Sequence, residues 1–246
     1  MVKTPRPFFK AGWLLTGLTF AAVALFLALG AWQLRRAEEK QALLDLQQRQ
    51  LQRPAIRLQG EETLAELGRY RKVIVTGIWD PDHQILLDSR TYRGKVGYEV
   101  LTPLETGGGK VILINRGWVP LGGTRERLPD ITIERKKVTI RGRTDRFPRM
   151  GMQLQGMREP SPGWPSVVQE LVPEVLAGRM KKHVLDFQIK MDEDLPDGYV
   201  RQWRLDYIKP ERHIGYALQW FIFAAIALGL WLWFGFKRAR ENVTGD

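Results

Sequence analysis

Two long apolar runs bracket a chain whose centre alternates polar and apolar residues at strand spacing. The first runs from Gly12 to Ala31 and the second from Ile214 to Phe236, and neither contains Asp, Glu, Lys or Arg. A helix rises about 1.5 Å per residue, so about twenty residues cover the hydrocarbon layer. The pattern predicts two membrane helices, over residues 12–34 and 213–236. Trp13, Trp32, Trp220, Trp231 and Trp233 fall at or near the span ends, where amphipathic rings prefer the headgroup layer. The first run exceeds a typical signal-peptide core and a second run follows, which predicts an uncleaved anchor.

Between the spans the period changes. Residues 36–53 are rich in helix formers and predict a juxtamembrane helix that Pro54 stops. In Tyr70–Trp79, Val73, Val75 and Trp79 fall on one face of a strand and Ile74 and Ile78 on the other. Further strand-like runs are Gln84–Asp88, Gly97–Thr102, Lys110–Trp118, Lys137–Thr144, Val184–Met191 and Tyr199–Ile208. Arg93-Gly94-Lys95 and Gly107-Gly108-Gly109 read as turns, and Pro173–Lys182 as a short helix entered at a proline. The expected fold is a membrane protein. Two transmembrane α-helices flank an extracytoplasmic, mainly antiparallel β domain, a barrel or sandwich, with a short helix.

Charge orients this frame. Lys3, Arg6 and Lys10 precede the first span, and Lys237, Arg238 and Arg240 follow the second. Short basic tails stay cytoplasmic, so residues 1–11 and 237–246 are expected inside a bacterial inner membrane and residues 35–212 in the periplasm. Arg35 and Arg36 oppose this mildly, but a long loop translocates largely regardless of its charge. The net charge of +11 leaves the middle domain moderately basic, which suits anionic lipid headgroups. An anchored chain with no nucleic-acid-binding motif predicts no nucleic-acid partner. No cysteine occurs, which excludes disulfides, thiolate metal sites and a cysteine nucleophile.

Signatures of common enzymes are absent, and three histidines leave little material for a multi-histidine metal site, so the chain does not read as an enzyme. His213 stands at the threshold of the second span. On a helix its face continues through Tyr216, Ala217 and Trp220 to Ala224 and Ala227. Three alanines form a shallow trough beside aromatic walls, where a flat macrocycle could lie with imidazole on its iron. An interfacial histidine bonded to lipid or to a backbone carbonyl is the competing reading. At the same depth the first helix offers Gly30, Trp32, Gln33 and Arg36. Gly30 permits close helix approach and Gln33 can fix the tautomer of His213. Arg35, Arg36 and Arg212 can meet propionates, or simply snorkel to headgroups.

Other clusters have plainer readings beside the chemical ones. Asp80-Pro81-Asp82-His83 is a metal cluster or a turn, and Met150, Met152 and Met157 are a soft copper site or loop filling. Asn115-Arg116-Gly117-Trp118 is a docking edge or a twisted strand end. His183 reads as a helix-end residue and Asp192–Asp194 as a solvated loop. Asn242-Val243-Thr244 is a sequon on the tail expected in the cytoplasm and is discounted.

Together these segments resemble the Surfeit locus family of cytochrome c oxidase assembly proteins. Residues 30–40 resemble its G-x-W-Q-x-x-R-x-x-x-K stretch, through Gly30, Trp32, Gln33, Arg36 and Lys40. Residues 70–73, 87–90 and 97–103 resemble its first domain motifs. Residues 111–119 resemble its V-L-V-N-R-G-W core, with Leu113-Ile114-Asn115-Arg116 in place of Leu-Val-Asn-Arg. Residues 213–221 resemble its H-x-x-Y-A-x-Q-W-F entry to the second helix. The resemblance implies an assembly factor for a haem-copper terminal oxidase. It would bind haem a at the helix pair, with His213 as axial ligand, and assist its insertion into the large oxidase subunit. Tyr216, Ala217, Trp220, Trp32, Gln33 and Arg36 would surround that site. Implied partners are the large haem-bearing subunit, the enzyme that makes haem a, and membrane lipid. The alternative is a membrane-tethered scaffold that binds oxidase subunits and never holds haem.

Overall fold

A computed structural model describes residue 9 and residues 11–107, 109–123, 125, 127–148, 159–203 and 209–244, with side chains described as far as Arg240. The chain divides into two compact units. One comprises residues 1–45 and 205–246, and the other residues 46–204.

The first unit is a helix pair. Helix α1 spans Trp13–Gln52 without a break, and Pro54 stands two residues beyond its end. Helix α4 spans Pro210–Thr244 and carries its proline at the first position, where no N–H is required. Both are long and apolar enough to cross a membrane, and their apolar windows are largely exposed, as lipid-facing surface is.

The second unit is a β-barrel with extensions. Its strands are β1 (Ile56–Arg57), β2 (Lys72–Trp79), β3 (Ile85–Tyr92), β4 (Lys95–Gly107), β5 (Lys110–Pro120), β6 (Lys137–Arg146), β7 (Ser166–Val168) and β8 (His183–Met191). Two short helices join them, α2 (Leu64–Leu67) and α3 (Pro173–Met180). The order β2-β6-β8-β5-β4 closes on itself, because Ile78 and Trp79 pair with Glu105 and Leu104. Within that ring only β5 and β8 run parallel. Strands β1 and β7 add parallel edges to β2 and β3, and β3 itself pairs with the first half of β4. Closure removes the open edges that an unrolled sheet would expose.

Alternation explains which way β2 faces. Val73, Val75 and Trp79 are buried while Ile78 is exposed, so β2 presents the expected face to the barrel core. Leu104, Ile112, Ile114, Phe187 and Ile189 fill the same core. The other side of β3–β5 packs Leu101, Leu113 and Val168 against Leu176 and Met180 of α3. With both sides covered, β4 buries a continuous run from Val100 to Leu104. Arg93 and Gly94 both take positive φ, which makes the two-residue turn between β3 and β4 a primed hairpin turn.

Two expectations of secondary structure need correction, and three short elements are added. Tyr199–Ile208 is not a strand over its described part. Val200 forms a single bridge to Trp118, and residues 204–208 lie outside the described residues. Strands β1 and β7 and helix α2 went unanticipated, because segments of two to four residues carry no period to read. His183 opens β8 instead of ending a helix, since Lys181 turns the chain out of α3 with a left-handed φ of 53°.

Candidate functional site

Residues spaced by seven hold the helix pair together. Val23, Gly30 and Ala37 are the buried residues of α1, and Ala217 and Ala224 lie one such step apart on α4. This spacing keeps one narrow face in register along a helix, and small side chains let two backbones approach. The would-be Cβ of Gly30 lies 2.4 Å from the Phe221 ring. Phe26 stacks on Trp220 with centroids 5.7 Å apart, and Trp231 Nε1 donates to Thr16 Oγ1 at 3.1 Å.

His213 joins this seam at one end. Its Nδ1 lies 2.7 Å from Oε1 of Gln33, so the two helices are bridged by a side-chain hydrogen bond at the position anticipated from the sequence. A carboxamide oxygen only accepts, so the bond calls for a proton on Nδ1, and in a neutral ring that arrangement leaves the lone pair on Nε2. That nitrogen is a donor of the kind a haem iron accepts, and the residues present fit a single axial ligand.

The other candidate residues divide. Ala217 follows His213 by one turn and is 1% exposed, and Trp220 is half-buried against Phe26. Trp32 and Tyr216 are 48% and 55% exposed and lie off the seam. Arg36 is ion-paired with Glu39 of its own helix at 2.6 Å, while Arg35 and Arg212 are exposed. The alanine face is therefore not an open trough. Ala217 and Ala224 are both buried, because alanines small enough to admit a macrocycle also admit a neighbouring helix. Tyr216 leaves that face because a step of three residues falls short of a full turn, whereas a step of four overshoots it less. Trp220 and Trp231, expected as headgroup anchors, pack against α1, while Trp13 and Trp233 stay exposed.

The motifs of the β domain prove architectural. Asn115 donates to Glu99 Oε2 at 2.6 Å and to Gln188 Oε1 at 3.0 Å. Arg116 is 3% exposed and donates to Gln84, Thr102 and the carbonyls of Ile131 and Asp197, with Tyr199 under its guanidinium. Gly117 takes φ 114° where Val200 O approaches, and Trp118 Nε1 donates to Arg90 O. This segment is a buried strand end, not a docking edge. Met150, Met152 and Met157 lie outside the described residues.

Asp80–His83 is a turn, and no metal-binding group of three or more His, Cys, Asp or Glu occurs among the described residues. The carboxylate of Asp80 is fully buried and accepts from Lys182 at 2.8 Å and His83 at 2.7 Å. Lys182 and Arg135 also pair with Glu105, a network that sequence spacing did not reveal because its members are far apart in the chain. Burial alone would raise the Asp80 pKa, but the bonds from Lys182 and His83 outweigh it and hold the carboxyl below its ordinary value. A carboxyl with a depressed folded pKa stabilises the fold above its unfolded pKa, near 4, and loses that contribution as pH falls through the folded value. Thermal unfolding measured from pH 7 down to pH 3 is expected to show this acid loss. Asp80→Asn should lower stability at pH 7 by about 1.5 kcal/mol and flatten the acid limb. An acid limb as steep in the variant as in the parent would exclude the assignment.

The same frame occurs in known proteins. The model of the SURF1 family matches residues 20–225, from within α1 through the whole β domain into α4. A SURF1-like protein of Rickettsia felis is 40% identical over 96 residues, which span 38% of this chain and 41% of that protein. An uncharacterized SURF1-like protein of Mycobacterium tuberculosis is 25% identical over 248 residues, covering 96% of this chain and 89% of its own length. The cytochrome oxidase assembly protein SHY1 of Saccharomyces cerevisiae is 34% identical over 106 residues, 42% of this chain and 27% of the yeast protein. With both helix-pair residues Gln33 and His213 and every strand inside the matched range, the chain belongs to the SURF1 family.

Proposed function

We propose that this protein assists assembly of a haem-copper terminal oxidase, holding haem a as cargo at the helix pair and aiding its insertion into the large oxidase subunit. The name of the yeast relative supports the oxidase role. The observation that carries the haem reading is the 2.7 Å bond from His213 Nδ1 to Gln33, which leaves Nε2 as a ligating nitrogen. Exposed Trp32 and Tyr216 offer flat apolar surface beside it, and exposed Arg35 and Arg212 offer partners for propionate carboxylates. In this reading the chain is a carrier, not an enzyme. Its basic tails lie in the cytoplasm and its β domain outside the inner membrane, where the large subunit and the haem a synthesis enzyme are its partners.

The test is purification of His213→Ala from cells that make haem a. The variant is expected to lose the bound haem and its absorbance spectrum. Unchanged haem content would remove His213 as ligand. A second reading, a tethered scaffold without haem, draws support from the closed alanine face. Normal oxidase assembly by His213→Ala would favour the scaffold, and failure of assembly with an intact fold would favour the carrier.

A further inference from the structure

We propose that Gln33 is a positioning residue that holds His213 as the Nδ1–H tautomer and, being neutral, keeps the bond formed by Nε2 weak enough to break. The first clause stands on the helix pair alone. The second rests on the reading of His213 as an iron ligand.

In water a neutral imidazole favours its proton on Nε2, which would occupy the nitrogen needed for ligation. Oε1 of Gln33 lies 2.7 Å from Nδ1 and can only accept, so it selects the other tautomer. The bond crosses between α1 and α4, so tautomer selection depends on how closely the helices pack. Gly30, one turn before Gln33, and Ala217, one turn after His213, are both buried and allow that approach.

The amide is also informative for what it is not. A carboxylate on Nδ1–H forms a charge-assisted bond, draws the proton toward itself and makes the ring a stronger donor. A carboxamide orients the ring without that gain. A resident cofactor profits from the stronger bond, whereas a cargo that must pass to another protein does not.

The experiment uses the full-length chain in lipid nanodiscs, labelled with ¹⁵N-histidine, first without haem and at a pH where the rings are neutral. Comparison with His213→Ala assigns the resonances. The parent is expected to carry the His213 proton on Nδ1. Gln33→Leu should move it to Nε2, and Gln33→Glu should restore it to Nδ1, which guards against a loss caused by misfolding. Haem is then added as the probe, with apomyoglobin as acceptor. Gln33→Leu should bind about 10- to 100-fold more weakly, and Gln33→Glu should release haem more slowly than the parent.

A parent His213 protonated on Nε2, or a tautomer unchanged in Gln33→Leu, overturns the positioning role. Release from Gln33→Glu as fast as from the parent overturns the weak-bond clause. The expected tautomers in a parent that binds no haem overturn the carrier function and leave the positioning role supported.

Discussion

Arg116→Ala is expected to remove about 3–5 kcal/mol from the β domain, a large share of the roughly 5–15 kcal/mol that holds a domain folded. The guanidinium is almost fully buried and ties four separate segments together. It donates to Gln84 at 3.0 Å, to Thr102 at 3.2 Å, to the Ile131 carbonyl at 3.3 Å and to the Asp197 carbonyl at 2.7 Å. Truncation takes a donor away from the buried Thr102 hydroxyl, from the Ile131 carbonyl and from Gln84, which keeps only its bond from Thr102, in addition to removing the contact with Tyr199. Burial pulls the Arg116 pKa below its ordinary value, with Tyr199 and Asp197 opposing that drop. Arg116→Lys should rescue only part of the loss, because a single ammonium cannot reproduce the planar fork. Urea unfolding followed by tryptophan fluorescence reads both variants. A loss below 1 kcal/mol for Arg116→Ala would show that the clamp is incidental.

Gly30→Val is expected to have the largest effect on the helix pair. A Cβ at Gly30 alone would stand 2.4, 2.7 and 2.9 Å from three carbons of the Phe221 ring, and valine adds two methyls. Either Phe221 leaves the seam or the helices separate, with a cost of up to about 3 kcal/mol. Separation breaks the Gln33–His213 bond one turn away. On the proposed carrier function, haem retention should fall as expected for Gln33→Leu, although neither bonded residue has changed. The chain has no cysteine, so a pair introduced at Thr16 and Trp231 and bridged by a short thiol cross-linker reports the spacing cleanly. Cross-linking should drop in Gly30→Val and recover in part in Gly30→Ala. An unchanged yield would mean that the pair accommodates the bulk and that close approach at Gly30 is unimportant.

Both predictions concern segments visible in the sequence, which leaves the role of Asn115–Trp118 open between a docking edge and a twisted strand end. Asn115–Trp118 was recognisable as a motif, but nothing local distinguishes a docking edge from a buried clamp. The acceptors of Arg116 lie up to 81 positions away in sequence, so its partners exist only once the barrel closes. The acidic and basic members of the Asp80 network were hidden for the same reason. The pairing of Gln33 with His213 was easier to foresee. Two antiparallel membrane helices joined through one domain must place the exit of the first and the entry of the second at the same depth.

Rotation about the helix axis was not foreseeable to the same degree. Tyr216 and Ala217 are adjacent, and either is compatible with the face of His213 by spacing. The step of four, and the small side chain, decided that Ala217 meets α1 while Tyr216 faces outward.

The amino-acid sequence by itself determined the two apolar helices, the inward face of β2 and the place of His213 at the start of the second apolar run. Each follows from the length or period of one contiguous segment, which any chain with that segment would share. The tertiary structure alone decided that the sheet closes between β2 and β4, that Arg116 is sealed inside, and that the alanine face is filled by a helix. Those outcomes depend on residues distant in sequence competing for the same space, and no local period records which of them arrives.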